Sequence, residues 1–429
     1  MTSAGSSNSV TELANAAMRC SQLEDYPQAA TLYQQALRLA PNNPTLLFNY
    51  GALLRITGDL TAAEQTLDRA IAVNPDDYEA WHLRSGLRRQ TQQANHVTEL
   101  RAQLAASKAP KARVNLLYAL AKELEDLAEY EQAINYLNEG AELRRRHLNY
   151  NVQDDVQTFA ALARLTLPTP ALNKAPAGTP TPIFVVSLPR AGSTLVERML
   201  GCHNDVHLAG ELNNFPQLLG QQLKQQSLAA GISFNSKPAR SKAELVGLVE
   251  HFDQAAFSAL GTGYLNSLPA PASGSRYVID KLPLNLLNVG FIVNALPQAK
   301  IVYVRRNKLD HGYAMYKHLF AHAYPFSYNL AEISAYYDAS HQLMDTWQRQ
   351  FPEHVITLDY ENLVAEPEHV SKQLFDFCGL NWSTEVLQFH KTNDAPSTTG
   401  SASQIRQPLH KRSIGLAQHY RSYLSALTN

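Results

Sequence analysis

Three pairs of residues in the first third of the chain stand 34 positions apart: Ala29 with Ala63, Ala36 with Ala70, and Pro41 with Pro75. They emerge when EDYPQAATLYQQALRLAPNN is set against GDLTAAEQTLDRAIAVNPDD. A register held at several positions means that one supersecondary unit has been copied along the chain. Small residues where two helices touch, with Pro closing the unit, describe a helix pair. A third unit fades after YEAWHLRSGLRRQ, and helical patterning resumes in LLYALAKELEDLAEYEQAINYLNEGAELRRR, whose Ala121, Tyr130, Ala133 and Gly140 mark one more pair. Such units bury their apolar faces only by stacking, which generates a superhelix with a concave side. About three units are needed for stability, so this short array leans on the rest of the chain.

The stretch LTLPTPALNKAPAGTPTP breaks the pattern with Pro, Ala and Thr and has no period, as a linker does. We therefore expect a helical repeat domain over 1–164, a linker over 165–181 and a second domain over 182–429. In the second domain the continuous apolar runs PIFVVSL, RYVID, AKIVYVRR and HVITLDY alternate with helical stretches. Unbroken apolar strands separated by helices imply a parallel sheet covered on both faces, with ligands at the carboxyl ends of its strands.

The first of these strands runs directly into SLPRAGSTLVERML. Strand, small-residue turn and helix is an anion-binding arrangement. Ala191, Gly192 and Ser193 let the backbone curl, the helix starting near Thr194 adds its positive end, and Ser193 and Thr194 offer hydroxyls. Arg190 adds a forked cation suited to phosphate or sulfate oxygens. A nucleotide-triphosphate loop reads GxxxxGK[ST], and this one does not. With no acidic strand end suited to magnesium, we expect a phosphate-like anion handled without a metal. Magnesium dependence separates this reading from phosphoryl transfer through the same loop.

The whole chain narrows the possibilities further. Its 429 residues are 45% hydrophobic, enough for a sizeable core, and the net charge of -1 is unlike the basic footprint of a general nucleic-acid binder. Cys20, Cys202 and Cys378 lie far apart with no metal-ligand spacing, which suits a reducing compartment. No run approaches ~18 uninterrupted apolar residues, and MTSAGSSNSVTELANAAMRC lacks the charged start and apolar centre of a signal peptide. These features lead us to expect a soluble, cytoplasmic protein without a membrane span.

LPRAGSTLVERML resembles the 5′-phosphosulfate-binding loop of sulfotransferases, whose donor is 3′-phosphoadenosine-5′-phosphosulfate (PAPS). Further segments follow in family order over roughly 180–416. HLAGELNNFPQLL resembles the segment that carries the acidic base of tyrosylprotein sulfotransferases and their tetratricopeptide-containing relatives, and IDKLPLN their catalytic-lysine segment. IVYVRRNKLDHGYAMYKHLF resembles the 3′-phosphate strand and helix, YENLVAEPEHVSKQLFDFCGL a structural strand–helix unit, and QIRQPLHKRSIG the segment closing over the donor. The 34-residue units resemble tetratricopeptide repeats, with Gly51 and Trp81 in that family's places. The resemblance implies an all-α repeat domain followed by an α/β, P-loop-like sulfotransferase domain with a central parallel sheet.

The same resemblance implies the roles of individual residues. Sulfuryl transfer in line requires a base for the acceptor's proton and cations for the departing phosphate. Glu211 is the implied base, with His207 the alternative and His203 nearby; Arg190 and Lys281 are the implied transition-state cations. The 5′ side of PAPS falls on Arg190, Ala191, Gly192, Ser193, Thr194 and Leu195, and the 3′-phosphate on Arg306 with Lys411, Arg412 and Ser413. The family pattern runs Arg, Asp four residues on, then Ser eight residues on; Arg306 and Asp310 fit it, whereas Ala314 stands in the Ser position. One hydrogen bond to a charged group contributes about 1.5–3 kcal/mol, so donor affinity falls tenfold or more unless His311, Tyr313, Lys317 or the closing segment compensates. Ala417 lies near the place of that segment's usual Trp.

The expectation is a PAPS-dependent, metal-free sulfotransferase acting on a hydroxyl acceptor. A tyrosine of a protein or peptide, recruited through the repeats, is the acceptor toward which the resemblance tilts. The alternative is a degenerate sulfotransferase fold serving as a binding scaffold. Ala314 favours it, and the Arg190, Glu211 and Lys281 set opposes it.

Overall fold

Asp25 and Asp59, and Asn43 and Asp77, extend the 34-residue register to the helix starts. The structure, a computed structural model, describes residues 3–168, 170, 178–229, 252–269, 275–320, 323–392 and 405–428. In it each of these four side chains caps a helix, accepting a hydrogen bond from the amide three residues on: Gln28 (3.2 Å), Ala62 (3.0 Å), Leu46 (3.1 Å) and Ala80 (3.1 Å). A short polar side chain at this position satisfies a first-turn donor that the helix itself leaves open. The helices so started are α2 (Tyr26–Leu39), α3 (Pro44–Thr57), α4 (Leu60–Val73) and α5 (Tyr78–Ser85); α1 (Ser3–Gln22) precedes them. Ala29, Ala36, Ala63 and Ala70 have no exposed surface, so the repeated alanines are where helices meet. At Gly51 the approach is closer still, since a Cβ there would stand 2.9 Å from Leu67 Cγ.

The fading of the third unit has a local cause. After α5 the chain does not form a partner helix but turns through residues 86–96 into α6 (Val97–Ala106), followed by α7 (Pro110–Asp126) and α8 (Tyr130–Arg146). Two acids of α7 secure the turn. Glu123, fully buried, accepts from Ser85 Oγ (2.7 Å), the His96 amide (2.7 Å) and His96 Nδ1 (3.0 Å), and Asp126 accepts from the Gln90 amide (2.8 Å). Burial alone pushes the Glu123 carboxyl up, but the bonds from His96 and Ser85 outweigh it and hold it below the usual carboxylate range. Glu123→Ala strands several buried polar groups at about 1–3 kcal/mol each. We expect about 3 kcal/mol of destabilisation at pH 7 in urea unfolding. Because the folded value is depressed, the contribution of the charge is present above the unfolded carboxylate pKa of about 4.3 and is lost as pH falls through the lower folded value. Glu123→Gln should therefore be closer to wild type at pH 3 than at pH 7.

These helices belong to a compact unit of Met1–Leu148, Tyr316–Asn329 and Asp394–Gln407. The second unit comprises Asn149–Met315, Leu330–Asn393 and Pro408–Asn429, so α9 (Val152–Arg164), which precedes the Pro-rich stretch, is part of it. Phe159 of α9 packs edge-on against Tyr336 at 4.9 Å. Of the linker expected over 165–181, residues 169 and 171–177 lie outside the described residues.

The second unit is built on a five-stranded sheet, all parallel, in the order β2-β3-β1-β4-β5. The strands are β1 (Thr181–Ser187), β2 (Val206–Leu208), β3 (Tyr277–Asp280), β4 (Lys300–Arg305) and β5 (Val355–Asp359). Four of them are the apolar runs of the sequence. The three-residue β2 was not expected as a strand and sits at one edge. Helix α10 (Ser193–Leu200) follows β1, and α11 (Asn214–Ala229) and α12 (Gln254–Ser267) lie between β2 and β3. Helix α13 (Val289–Ala295) precedes β4, α14 (Lys308–Tyr316) and α15 (Leu330–Gln350) follow it, and α16 (Tyr360–Ala365) and α17 (Pro367–Cys378) follow β5. One face of the sheet gives Ile183, Val185, Ile279, Val302 and Val304 to a core shared with Val196, Leu363 and Phe375. On β1's other face Phe184 meets Tyr264 at 5.3 Å and Phe215 at 6.2 Å. Both faces are covered, which is why the strands read as unbroken apolar runs.

Candidate functional site

All five strands end on the same side, and each hands a polar residue to that edge. β1 leads into Arg190 and α10, β2 into Glu211, β3 into Lys281, β4 into Arg306 and β5 into Tyr360. Register sets their depth: Ser187 pairs with Val304 and Arg305 with Asp359, so the β1 loop, Arg306 and Tyr360 emerge at nearly the same level.

The loop owes its shape to two left-handed residues, Arg190 at φ 70° and Gly192 at φ 106°. Only glycine adopts this region without cost. Gly192 also has no room for a side chain, since its Cβ would stand 2.5 Å from Tyr360 Cδ2. Ala191, Ser193, Thr194 and Leu195 are buried, and α10 begins at once, with the Leu195 amide bonded to Gly192 O (2.9 Å). His311 holds the loop from beneath through a bond of its Nε2 to Pro189 O (2.9 Å). Burial, then Arg306, lowers the His311 pKa to about 3, so the ring is neutral and donates from Nε2.

Arg306 joins the loop to the C-terminal segment. Its Nη1 donates to Arg190 O (3.1 Å) and its Nη2 to Ser413 O (2.5 Å), and the guanidinium lies 5.0 Å over the Tyr360 ring. Its buried Nε has no hydrogen-bond partner among the described residues. Tyr360 OH and Ser413 Oγ are 2.9 Å apart, which closes the ring of contacts. Arg190 is half-buried, and burial followed by the nearby Arg306 lowers its pKa to about 10, against an opposing effect of Tyr360. A guanidinium whose charge is disfavoured by burial and a neighbouring cation sits in a field that an anion relieves.

Asp310 does not face that field. Its carboxylate accepts the Gly415 amide (2.7 Å) and the Ala417 amide (3.0 Å), so it anchors the C-terminal segment. This explains Ala417, which is fully buried against that anchor. Ala314 is buried and brings no hydroxyl. Of the three expected residues in the closing segment, Ser413 meets Arg306, whereas Lys411 and Arg412 are exposed.

The second cluster lies at β2 and β3. Ala209 N bonds Ile279 O (2.9 Å) and Lys281 N bonds Gly210 O (2.8 Å), which carries the ladder one step past the strands and aligns Glu211 with Lys281. Lys281 Nζ bonds Glu211 Oε1; the lysine side chain is 2% exposed and the glutamate 41%. Glu211 precedes α11, which starts at Asn214, and is not a first-turn residue of that helix. His207 sits within β2 opposite Val278, and among the described residues no contact joins it to Lys281. The lysine pairs with Glu211, not with the adjacent Asp280.

Tyr360 is the residue that sequence reasoning missed. YENL read as a structural start of a helix, and the signal available was its place directly after an apolar strand that ends at the same edge as PRAGST.

Residues 182–384 match the sulfotransferase family model, and residues 22–87 and 114–147 match tetratricopeptide repeat models. The chain is 27% identical over 413 residues to an uncharacterized protein of Aquifex aeolicus, covering 93% of this chain and 51% of that one. It is 24% identical over 207 residues to protein-tyrosine sulfotransferase 1 of Danio rerio, covering 48% of this chain and 55% of that one. The chain thus spans about half the length of these curated relatives. Among solved structures, the sulfotransferase domain of the Synechococcus PCC 7002 olefin synthase is similar at 20% identity and a TM-score of 0.34, over 58% of this chain and 98% of that one. Strand–loop–helix geometry, an all-parallel sheet and the family match agree: the chain carries a sulfotransferase-family domain behind a region of tetratricopeptide repeats.

Proposed function

We propose that the second unit moves a sulfuryl group from PAPS to a hydroxyl acceptor. The observation that carries this reading is the Lys281–Glu211 pair at the carboxyl end of the sheet that also bears the Arg190 loop. The donor supplies an activated sulfuryl group on a phosphate oxygen, so the protein needs no nucleophile of its own. Glu211, the more exposed partner, takes the acceptor's proton. Lys281, held nearly without solvent, stands as the cation for the departing phosphate. Arg190 and the α10 amides hold the 5′ side, and Arg306 with Ser413 the 3′ side. The residues present suit such a polyanion: two neighbouring guanidinium groups and an unused buried Nε are what an anion satisfies. Lys411 and Arg412, both exposed, add their charge around it on this reading.

For the acceptor we propose a phenol of a peptide. The support is the likeness to the Danio rerio protein and the repeats, which in general mediate protein contacts. The repeat unit holds a cleft of about 500 Å³ lined by Phe48, Leu83, Val114 and Leu143, with Lys111 there paired to Glu79, a fit for an apolar anchor.

Calorimetric titration with 3′-phosphoadenosine-5′-phosphate tests the donor site. Micromolar affinity is expected for the wild type, and a loss of about a hundredfold in Arg190→Ala, equivalent to two charged hydrogen bonds. No binding to the wild type overturns the assignment and favours the degenerate scaffold to which Ala314 points, and equal binding to both removes Arg190 from the donor site.

A further inference from the structure

Two consecutive carbonyls of the anion loop are held by side-chain donors. His311 Nε2 donates to Pro189 O (2.9 Å), and Arg306 Nη1 to Arg190 O (3.1 Å). A trans peptide is planar, so the amide hydrogen that follows each carbonyl points the opposite way. Holding the two carbonyls therefore fixes the directions of the Arg190 and Ala191 amides. One buried side chain touches both donors. Tyr337 of α15 gives its hydroxyl hydrogen to Arg306 O (2.7 Å), and its ring meets the His311 ring edge-on, with centroids 5.8 Å apart. Arg306 stands one residue past β4, where the strand ladder has ended, and Tyr337 supplies a donor for its carbonyl. The ring is braced from the other side: His341, one helical turn on, stacks against it at 3.8 Å and donates from Nδ1 to Tyr337 O (2.8 Å). Packing alone would be served by a phenylalanine; the hydroxyl is directed to a residue of the site.

We propose that Tyr337 is a positioning residue for the donor site: its hydroxyl fixes the Arg306 backbone, its ring backs His311, and it thereby holds the β1 loop and the cation after β4 in one geometry. The holding is a property of the fold; its consequence for nucleotide binding rests on the sulfuryl-transfer reading. On that reading the two contacts of Tyr337 act on different parts of the donor. The hydroxyl acts through Arg306 on the 3′-phosphate. The ring acts through His311 and Pro189 on the 5′ side. Removing them one at a time should therefore change which phosphate is recognised, which a loss of general stability does not do.

The test compares Tyr337→Phe, which removes only the hydroxyl, with Tyr337→Leu, which removes ring and hydroxyl, in the full chain. The probes are 3′-phosphoadenosine-5′-phosphate and adenosine-5′-phosphate, which lacks the 3′-phosphate. In Tyr337→Phe the preference for the first nucleotide should fall about tenfold at unchanged affinity for the second, as for one charged hydrogen bond lost at Arg306. In Tyr337→Leu both affinities should fall. His311→Leu should weaken both nucleotides alike, and His311→Gln, whose amide nitrogen donates at a similar reach, should restore them. An unchanged preference in Tyr337→Phe overturns the proposal. Hydrogen exchange without nucleotide decides the holding by itself. Segment 305–310 should exchange about tenfold faster in Tyr337→Phe, and both 188–193 and 305–310 in Tyr337→Leu, with 110–126 unchanged in each. Exchange at the wild-type rate in 305–310 of Tyr337→Phe overturns the holding even where Tyr337→Leu fails to fold. A wild type that binds neither nucleotide sinks the donor reading alone, because the exchange data still decide whether Tyr337 holds the site.

Discussion

Lys281→Ala should lower kcat about a thousandfold while the Kd for 3′-phosphoadenosine-5′-phosphate stays within about threefold. Fixed charges aimed at the leaving oxygen are worth about 10²–10³ each in turnover, because they act where water has been excluded. Lys281 meets that condition at 2% exposure. The product lacks the sulfuryl group, so its affinity reports the Arg190 and Arg306 side and barely senses this lysine. Removing the cation leaves Glu211 partly solvated, so the fold should tolerate the change. Glu211→Gln is harsher on the fold, because it strands a buried ammonium. A fall in kcat of less than tenfold for Lys281→Ala would remove the lysine from the chemistry. Lys281→Arg should not restore the rate, because a planar fork cannot occupy the position of a compact ammonium held by one carboxylate oxygen.

Gly192→Ala should cost the second unit about 3 kcal/mol and weaken binding of the same nucleotide at least thirtyfold. Two independent penalties combine. Any side chain at φ 106° lies in a region that costs about 1–3 kcal/mol outside glycine. The new methyl would also stand 2.5 and 2.9 Å from two Tyr360 ring carbons, and overpacking of this kind costs about 1–3 kcal/mol. The ring cannot retreat freely, because its hydroxyl meets Ser413 and its face meets Arg306. A double-mutant cycle with Tyr360→Ala separates the terms: the clash should vanish, the backbone penalty should stay, and the coupling should exceed 1 kcal/mol. Additive single effects would show that the contact is unimportant. Urea unfolding and calorimetry supply both readouts.

The sequence carried unequal amounts of information about different parts of this molecule. PIFVVS, RYVID, AKIVYVRR and HVITLDY were legible as strands because burial on both faces demands unbroken apolar runs. VHL at β2 was not, since three half-buried residues leave no period to read and take their state from pairing with β3. The 34-residue register was legible through small residues and caps that recur. The break after Ser85 was visible as a fading pattern, but its cause, a carboxylate reaching in from Glu123, lies 38 residues on. At the site, PRAGST announced itself as a local device. Tyr360 and Asp280 could not, because their meaning lies in partners that only the fold brings near: Gly192 and Arg306 for one, Tyr264 for the other. Asp310 matched its family position, yet it serves the amides of Gly415 and Ala417, a use that spacing could not reveal.

Arg190, at φ 70°, is a site where folding preference and the proposed chemistry pull in opposite directions. A left-handed backbone costs a side chain with a Cβ roughly 1–2 kcal/mol that glycine escapes. Selection or engineering for thermal resistance alone would drift toward glycine here and discard the guanidinium that shares the loop's field with Arg306. Arginine at this position thus sets a bound on how far the domain's heat tolerance can rise while its anion loop stays charged.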